Sequence, residues 1–144
     1  MQPYPHTYSV TAGGAATGLV PVESQGLPRL DTAPPREFDG PGDVWSPETL
    51  LVAAIADCYI LTFRGISRAA KFDWVELTCV VEGVVERVNG VTRFTGYSNR
   101  ATLTVKSGAD HAKGNELLER AERVCLVSNS LLGERRLTAS VVEL

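Results

Sequence analysis

Cysteine is scarce in this chain, with three residues among 144, an odd count and no C-x-x-C pair. That argues against a disulfide framework and against a structural zinc site, whose ligands usually come in close pairs. A reducing cytoplasm is the expected setting, where a disulfide is a transient chemical event rather than a staple. Histidine is scarcer still: His6 and His111 stand alone, with no Asp, Cys or Glu at ligand spacing. Both are expected in loops, and no metal or other cofactor is expected. No phosphate-cradling glycine motif and no Ser-His-Asp signature is present. An excess of one charge is also missing: the formal net charge is -3 with acids and bases interspersed, so neither nucleic acid nor an anionic membrane is indicated as a partner. The start, Met1-Gln2-Pro3-Tyr4-Pro5, lacks the basic flank and apolar run of a secretory signal. The single long apolar run, Leu50 to Ile66, falls just short of a spanning helix and is followed at once by Arg68 and Lys71. A buried core helix is the better reading.

What is there reads as one α+β domain over residues 1–144, with enough apolar residues (44%) for a true core. Thr7 to Thr11 is β-prone, glycines punctuate it, and Leu19 to Val22 can return as a partner strand. From Pro28 to Trp45 the density of Pro, Gly and Asp excludes a helix or a central strand. A clear helix start follows. Ser46 can cap, Pro47 at the first helical position loses nothing by lacking an N–H, and Glu48 meets the positive end of the dipole. Apolar residues then cover most of the helix circumference, which demands protein on all sides. The flanking strands are too few to wrap it, so a dimer is expected. Strict alternation at Val75, Leu77, Cys79 and Val81 marks a strand. Asn89-Gly90 signals a type I′ hairpin, followed by strands at Val91–Tyr97 and Ala101–Val105. A second helix is expected from about Asn115 to Val127, carrying Cys125, and the alternation at Leu137, Ala139 and Val141 makes a closing strand. The pairings are expected to be antiparallel.

Two thiols therefore fall on two expected helices. Cys58 taken alone reads as a small hydrophobe in a packed helix, Cys79 as a core residue on its strand, and Cys125 as either. The segment Glu37-Phe38-Asp39-Gly40-Pro41-Gly42, followed by Ser46-Pro47-Glu48 and the run to Asp57-Cys58-Tyr59, resembles the OsmC/Ohr family of osmotically inducible and organic-hydroperoxide-resistance proteins. Val124-Cys125-Leu126-Val127-Ser128-Asn129-Ser130 resembles the family's second motif. Element order and length match over nearly the whole chain, closer to the OsmC-like branch.

The resemblance implies an OsmC-like fold, with antiparallel sheets around a long buried central helix in an intertwined homodimer. It implies a cysteine-based peroxidase that reduces organic hydroperoxides, with Cys58 as the peroxidatic thiolate and Cys125 as the resolving thiol. A thiol reductant (a small dithiol, a lipoylated protein or a thioredoxin-like partner) would reopen the Cys58–Cys125 bridge. It further implies an arginine beside the thiolate, held by the glutamate that matches Glu48. Glu48 and Cys58 are ten residues apart, about 15 Å along a helix, and cannot touch within it; the resemblance implies a site built at the interface of the homodimer.

Two departures stand out. Ohr-type members carry the arginine after a glycine pair where this chain reads Gly13-Gly14-Ala15. OsmC-type members carry it before the long helix, where this chain offers Arg36, with Arg29 as second choice. Leu126 also stands where many relatives have proline. These departures leave an alternative open, a non-enzymatic member of the same fold that binds small apolar ligands or serves in stress. Trp45, Tyr59, Phe63 and Trp74 suit either an apolar substrate channel or simple core packing. Asp57 points about 100° away from Cys58 around the helix and is not expected to act as its base.

Overall fold

Two three-stranded sheets and one long helix account for about half of the chain in the computed structural model, which describes residues 1–144. The elements fall into two units, Met1–Leu51 and Val52–Leu144.

In the N-terminal unit, β1 (Thr11–Ala12), β2 (Val20–Glu23) and β3 (Leu30–Thr32) pair antiparallel in that order. The β-prone stretch from Thr7 is a strand only at its end. β3 escaped the sequence reading because it lies within the Pro/Gly/Asp-rich stretch, where an edge position suits it. That stretch also holds a short 3-10 helix, Arg36–Phe38, contrary to expectation. It is one turn only, stopped at Asp39, which takes a left-handed conformation (φ 61°). Gly40 follows so close to the chain that an added Cβ would lie 1.6 Å from the Pro34 carbonyl oxygen.

Helix α1 (Pro47–Ala69) starts in this unit and continues into the next. Its start follows the sequence signal. The Thr49 N–H donates to Ser46 Oγ (3.1 Å), and the Ser46 N–H donates to Thr49 Oγ1 (2.9 Å), so each satisfies an orphan group of the other. At 23 residues the helix is longer than the apolar run alone suggested, and by length and composition it could cross a membrane. It is buried instead along one stripe, Ile55, Tyr59, Phe63, Ile66 and Ser67, as a core helix is. The rest is not enclosed within the single chain: Leu61, on the opposite side, is 51% exposed.

In the C-terminal unit, β4 (Glu76–Val88) turns at Asn89-Gly90 into β5 (Val91–Val105). Both turn residues have positive φ (51° and 78°), as a type I′ turn requires. The two runs expected after the turn are one strand, because Asn99 between them points to the core side and is buried. Helices α2 (His111–Val124) and α3 (Leu126–Asn129) then cross over, and β6 (Glu134–Glu143) returns parallel to β5. The expectation of antiparallel pairing throughout thus fails at this last pair, since a helical crossover delivers the chain in the same direction. α2 begins four residues earlier than expected. Asp110 caps it by accepting from the Lys113 N–H (2.9 Å), and Gly114, which reads as a breaker, lies inside it. An added Cβ at Gly114 would approach Val141 to 3.1 Å and Leu103 and Phe72 to 3.4 Å, so the glycine permits close helix–sheet packing. The core lies between this sheet and the helices, built on Tyr59, Phe63, Leu77, Leu103, Val105, Leu117 and Leu118.

Candidate redox site

The long helix fixes Cys58 through its neighbour. Tyr59 is wholly buried and its hydroxyl donates to the Leu118 carbonyl oxygen of α2 (3.0 Å), pinning α1 to the crossover. Burial raises the Tyr59 pKa far above its ordinary value, and nearby Cys79, Glu122 and Cys125 add to the shift. Cys58 itself is half-buried, with Thr62 Oγ1 at 3.9 Å one turn on.

Cys125 does not sit in a helix, as expected, but at the elbow between α2 and α3, with an extended backbone (φ -61°, ψ 114°). Its carbonyl oxygen accepts from the Asn129 N–H (2.9 Å), which starts α3. The side chain is wholly buried. Burial is the main force raising its pKa, Ser128 opposes it through its hydroxyl and backbone N–H, and the adjacent Cys58 sulfur raises it further. The fold thus brings Cys58 and Cys125 together as neighbours, and both are free thiols.

Cys79 takes the core-facing strand position expected of it. Its pKa is pushed up to about 12 by burial and then by Glu122, which leaves it a neutral hydrophobe. Phe63 and Trp74 meet edge to face (centroids 5.2 Å apart), and Trp74 Nε1 donates to Ser67 Oγ (2.9 Å). These aromatics are core, as is Tyr59, rather than a channel. Asp57 is exposed. His111 opens α2, not a loop, and pairs with Glu143 at 3.3 Å. No group of three or more His, Cys, Asp or Glu side chains is placed to hold a metal.

Glu48 and Arg36 belong to the N-terminal unit. Glu48 Oε2 is buried there without a hydrogen-bond partner. Arg36 is exposed, and its side chain lies over Gly42, where an added Cβ would meet Nε at 2.1 Å. Arg29, the second choice, is engaged with Asp31 at 2.8 Å. A groove of about 320 Å³ runs along Gly42, Asp43, Val44, Trp45 and Thr49.

Sequence reading missed the polar group around the elbow. Arg135, on β6, donates from Nε to Glu122 Oε1 (3.0 Å), from Nη1 to Asn129 Oδ1 (2.7 Å) and from Nη2 to the Glu122 carbonyl oxygen. Asn129 Nδ2 in turn donates to the Arg123 carbonyl oxygen (3.1 Å). No local spacing signals partners brought together by a crossover.

The α+β fold thus holds two free thiols as neighbours, one on the long helix and one at a helix elbow. A family model described as OsmC-like protein matches residues 40–140. The chain is 32% identical over 112 residues to the "uncharacterized protein YmaD" of Bacillus subtilis (strain 168), covering 74% of this chain and 75% of that one. The chain belongs to the OsmC-like family. Among solved structures it is similar to the organic hydroperoxide resistance protein OsmC from Legionella pneumophila, with 26% identity, a TM-score of 0.76 and coverage of 96% and 98% of the two chains. It shares its fold with an organic hydroperoxide resistance protein from Elizabethkingia anophelis, with 22% identity, a TM-score of 0.78 and coverage of 99% and 100%.

Proposed function

We propose that this chain is a thiol-dependent peroxidase that reduces organic hydroperoxides in the cytoplasm as part of a stress response. The observation that carries the reading is the adjacency of two free thiols, Cys58 and Cys125. Their environments assign the order of events. Cys125 is sealed from solvent with its pKa raised, so it is a poor first nucleophile. Cys58 is half-buried and is the sulfur a peroxide can reach.

The Cys58 thiolate attacks the terminal peroxide oxygen. The S–O bond forms as the O–O bond breaks, and the departing alkoxide takes a proton to leave as the alcohol. Cys125 then attacks the resulting sulfenic sulfur; the S–S bond forms, and hydroxide leaves with the Cys125 proton as water. An external dithiol, small, lipoylated or thioredoxin-like, reduces the bridge and is itself oxidised. Arg36 is the cation assigned to stabilise the Cys58 thiolate, with Glu48 as its carboxylate partner. Two facts support that assignment: Glu48 Oε2 is buried without a partner, and Arg36, unlike Arg29, makes no ion pair. A homodimer would supply the protein that the open side of α1 lacks, where Leu61 is 51% exposed, and would cover Val80 and Val84 (47% and 53%) on β4.

The test is steady-state reduction of cumene hydroperoxide with a dithiol donor. Wild-type protein should turn over, Cys58→Ser should not, and Cys125→Ser should accumulate a sulfenic acid at Cys58 that dimedone traps. Full activity in Cys58→Ser would end the proposal and favour the non-enzymatic, apolar-ligand-binding alternative.

A further inference from the structure

We infer that Arg135 is a positioning residue for bridge closure: it clasps the Cys125 elbow from both sides and holds that sulfur in register with Cys58. The inference deepens the peroxidase reading and rests on it for the identity of the reacting sulfurs.

The geometry is specific to the elbow. Glu122 precedes Cys125 by three residues and Asn129 follows it by four, and one guanidinium reaches both. It also takes the Glu122 carbonyl oxygen, at the end of α2 where backbone acceptors lose their helical partners. Asn129 closes the loop by donating to the Arg123 carbonyl oxygen, and its own N–H holds the Cys125 carbonyl. The Arg135–Glu122 pair is the least exposed ion pair of the molecule, with side chains 27% and 19% exposed. Salt therefore screens it weakly. Arg135 projects from β6, which is anchored along its length to β5. The fork thus ties the short elbow to the sheet through β6. A planar guanidinium presents its donors in a fixed fork, where a lysine ammonium offers three rotatable donors on a flexible stem. The residue after Cys125 is Leu126 rather than a proline, so no ring fixes φ there. That places more of the positioning on side-chain contacts.

Bridge closure is a contact reaction between two sulfurs, and a displacement on the order of 1 Å can slow such a step by roughly a hundredfold. Sulfenic acid formation does not involve Cys125 and should not depend on the clasp. The experiment is rapid-quench mass spectrometry on the reduced full chain, after one equivalent of cumene hydroperoxide, for wild type, Arg135→Ala, Arg135→Lys and Asn129→Ala. Expected for Arg135→Ala is sulfenic acid formation at the wild-type rate, with closure to the Cys58–Cys125 bridge slowed at least about tenfold. Arg135→Lys and Asn129→Ala should fall between, and they carry the test if the alanine variant does not fold. A merely structural role predicts something else: both steps slowed together, or neither. Either result, in variants that remain folded, overturns the inference.

Oxidised glutathione separates this inference from the peroxidase reading. Cys58 attacks it and expels one glutathione, then Cys125 attacks the Cys58 sulfur of the mixed disulfide and expels the second. If hydroperoxide leaves wild type reduced but glutathione closes its bridge, the peroxidase reading fails. Slower closure in Arg135→Ala still supports the clasp. A wild-type chain that closes no bridge with either oxidant overturns the clasp as well.

Discussion

Closure of the Cys58–Cys125 bridge should speed up with pH throughout the neutral range, and Ser128 should set how fast it is. Cys125 attacks as a thiolate, yet its pKa is raised above the ordinary 9.0, first by burial. At pH 7 the reduced protein therefore holds Cys125 almost entirely as the thiol. A raised thiol pKa keeps the proton on in the fold, so each unit of pH below that pKa changes the reactive fraction about tenfold. Once Cys58 is oxidised to the sulfenic acid it carries no charge, and its contribution to the shift lapses. Burial, the largest cause, remains. Ser128 is buried and works against it through hydroxyl and backbone N–H. Ser128→Ala removes only the hydroxyl. A hydrogen bond to a charged group is worth about 1.5–3 kcal/mol, so closure at pH 7 should slow by at least about tenfold. The wild-type and variant rates should converge at alkaline pH. The assay is rapid-quench mass spectrometry of the closing step between pH 6 and 8, starting from protein oxidised at Cys58. A flat profile, or a Ser128→Ala variant as fast as wild type at pH 7, would show that Cys125 deprotonation does not limit closure and would refute the reasoning.

Three further outcomes follow from the same geometry. Gly42→Ala places a Cβ where Arg36 Nε lies 2.1 Å away, at a φ of +72°; if Arg36 serves the thiolate, Cys58 alkylation by iodoacetamide at pH 7 should slow, with a further loss of about 1 kcal/mol of stability by urea unfolding. Phe63→Ala removes a ring that is wholly buried against Trp74 and should lower the unfolding free energy by about 3–5 kcal/mol in denaturant titration. Cys79 and Tyr59 both have pKa values raised in the fold, Cys79 from 9.0 to about 12, so their stabilising contribution is full below pH 9 and fades as pH climbs towards 12. Cys79→Val removes one of these groups and should shift the midpoint of base-induced unfolding, followed by tryptophan fluorescence, to higher pH.

Much of this was legible in the sequence because local rules and tertiary demands agree. Ser46-Pro47-Glu48 states a helix start that the reciprocal Ser46–Thr49 hydrogen bonds then make. Asn89-Gly90 states a hairpin that closes with Val88 opposite Val91. The alternation through Leu77 and Cys79 gives the buried face of β4. The pairing of Cys58 with Cys125 could be anticipated only through the family resemblance, since 67 residues and a hairpin separate them. The failures have a common physical origin. Gly114 and Asn99 look like breaks in a local pattern, but their use is tertiary: close helix–sheet packing for one and a buried place in a continuous strand for the other. The parallel return of β6 and the grip of Arg135 on Glu122 and Asn129 likewise depend on where a crossover ends. Periodicity carries no record of that.

The central claim is that Cys58 and Cys125 form one redox site. The most direct measurement is the intact mass of reduced protein, denatured with thiols blocked, after one equivalent of cumene hydroperoxide. Loss of two hydrogens, mapped by peptide analysis to a Cys58–Cys125 bridge with Cys79 still free, is the predicted result. An unchanged mass with all three thiols alkylated would contradict it.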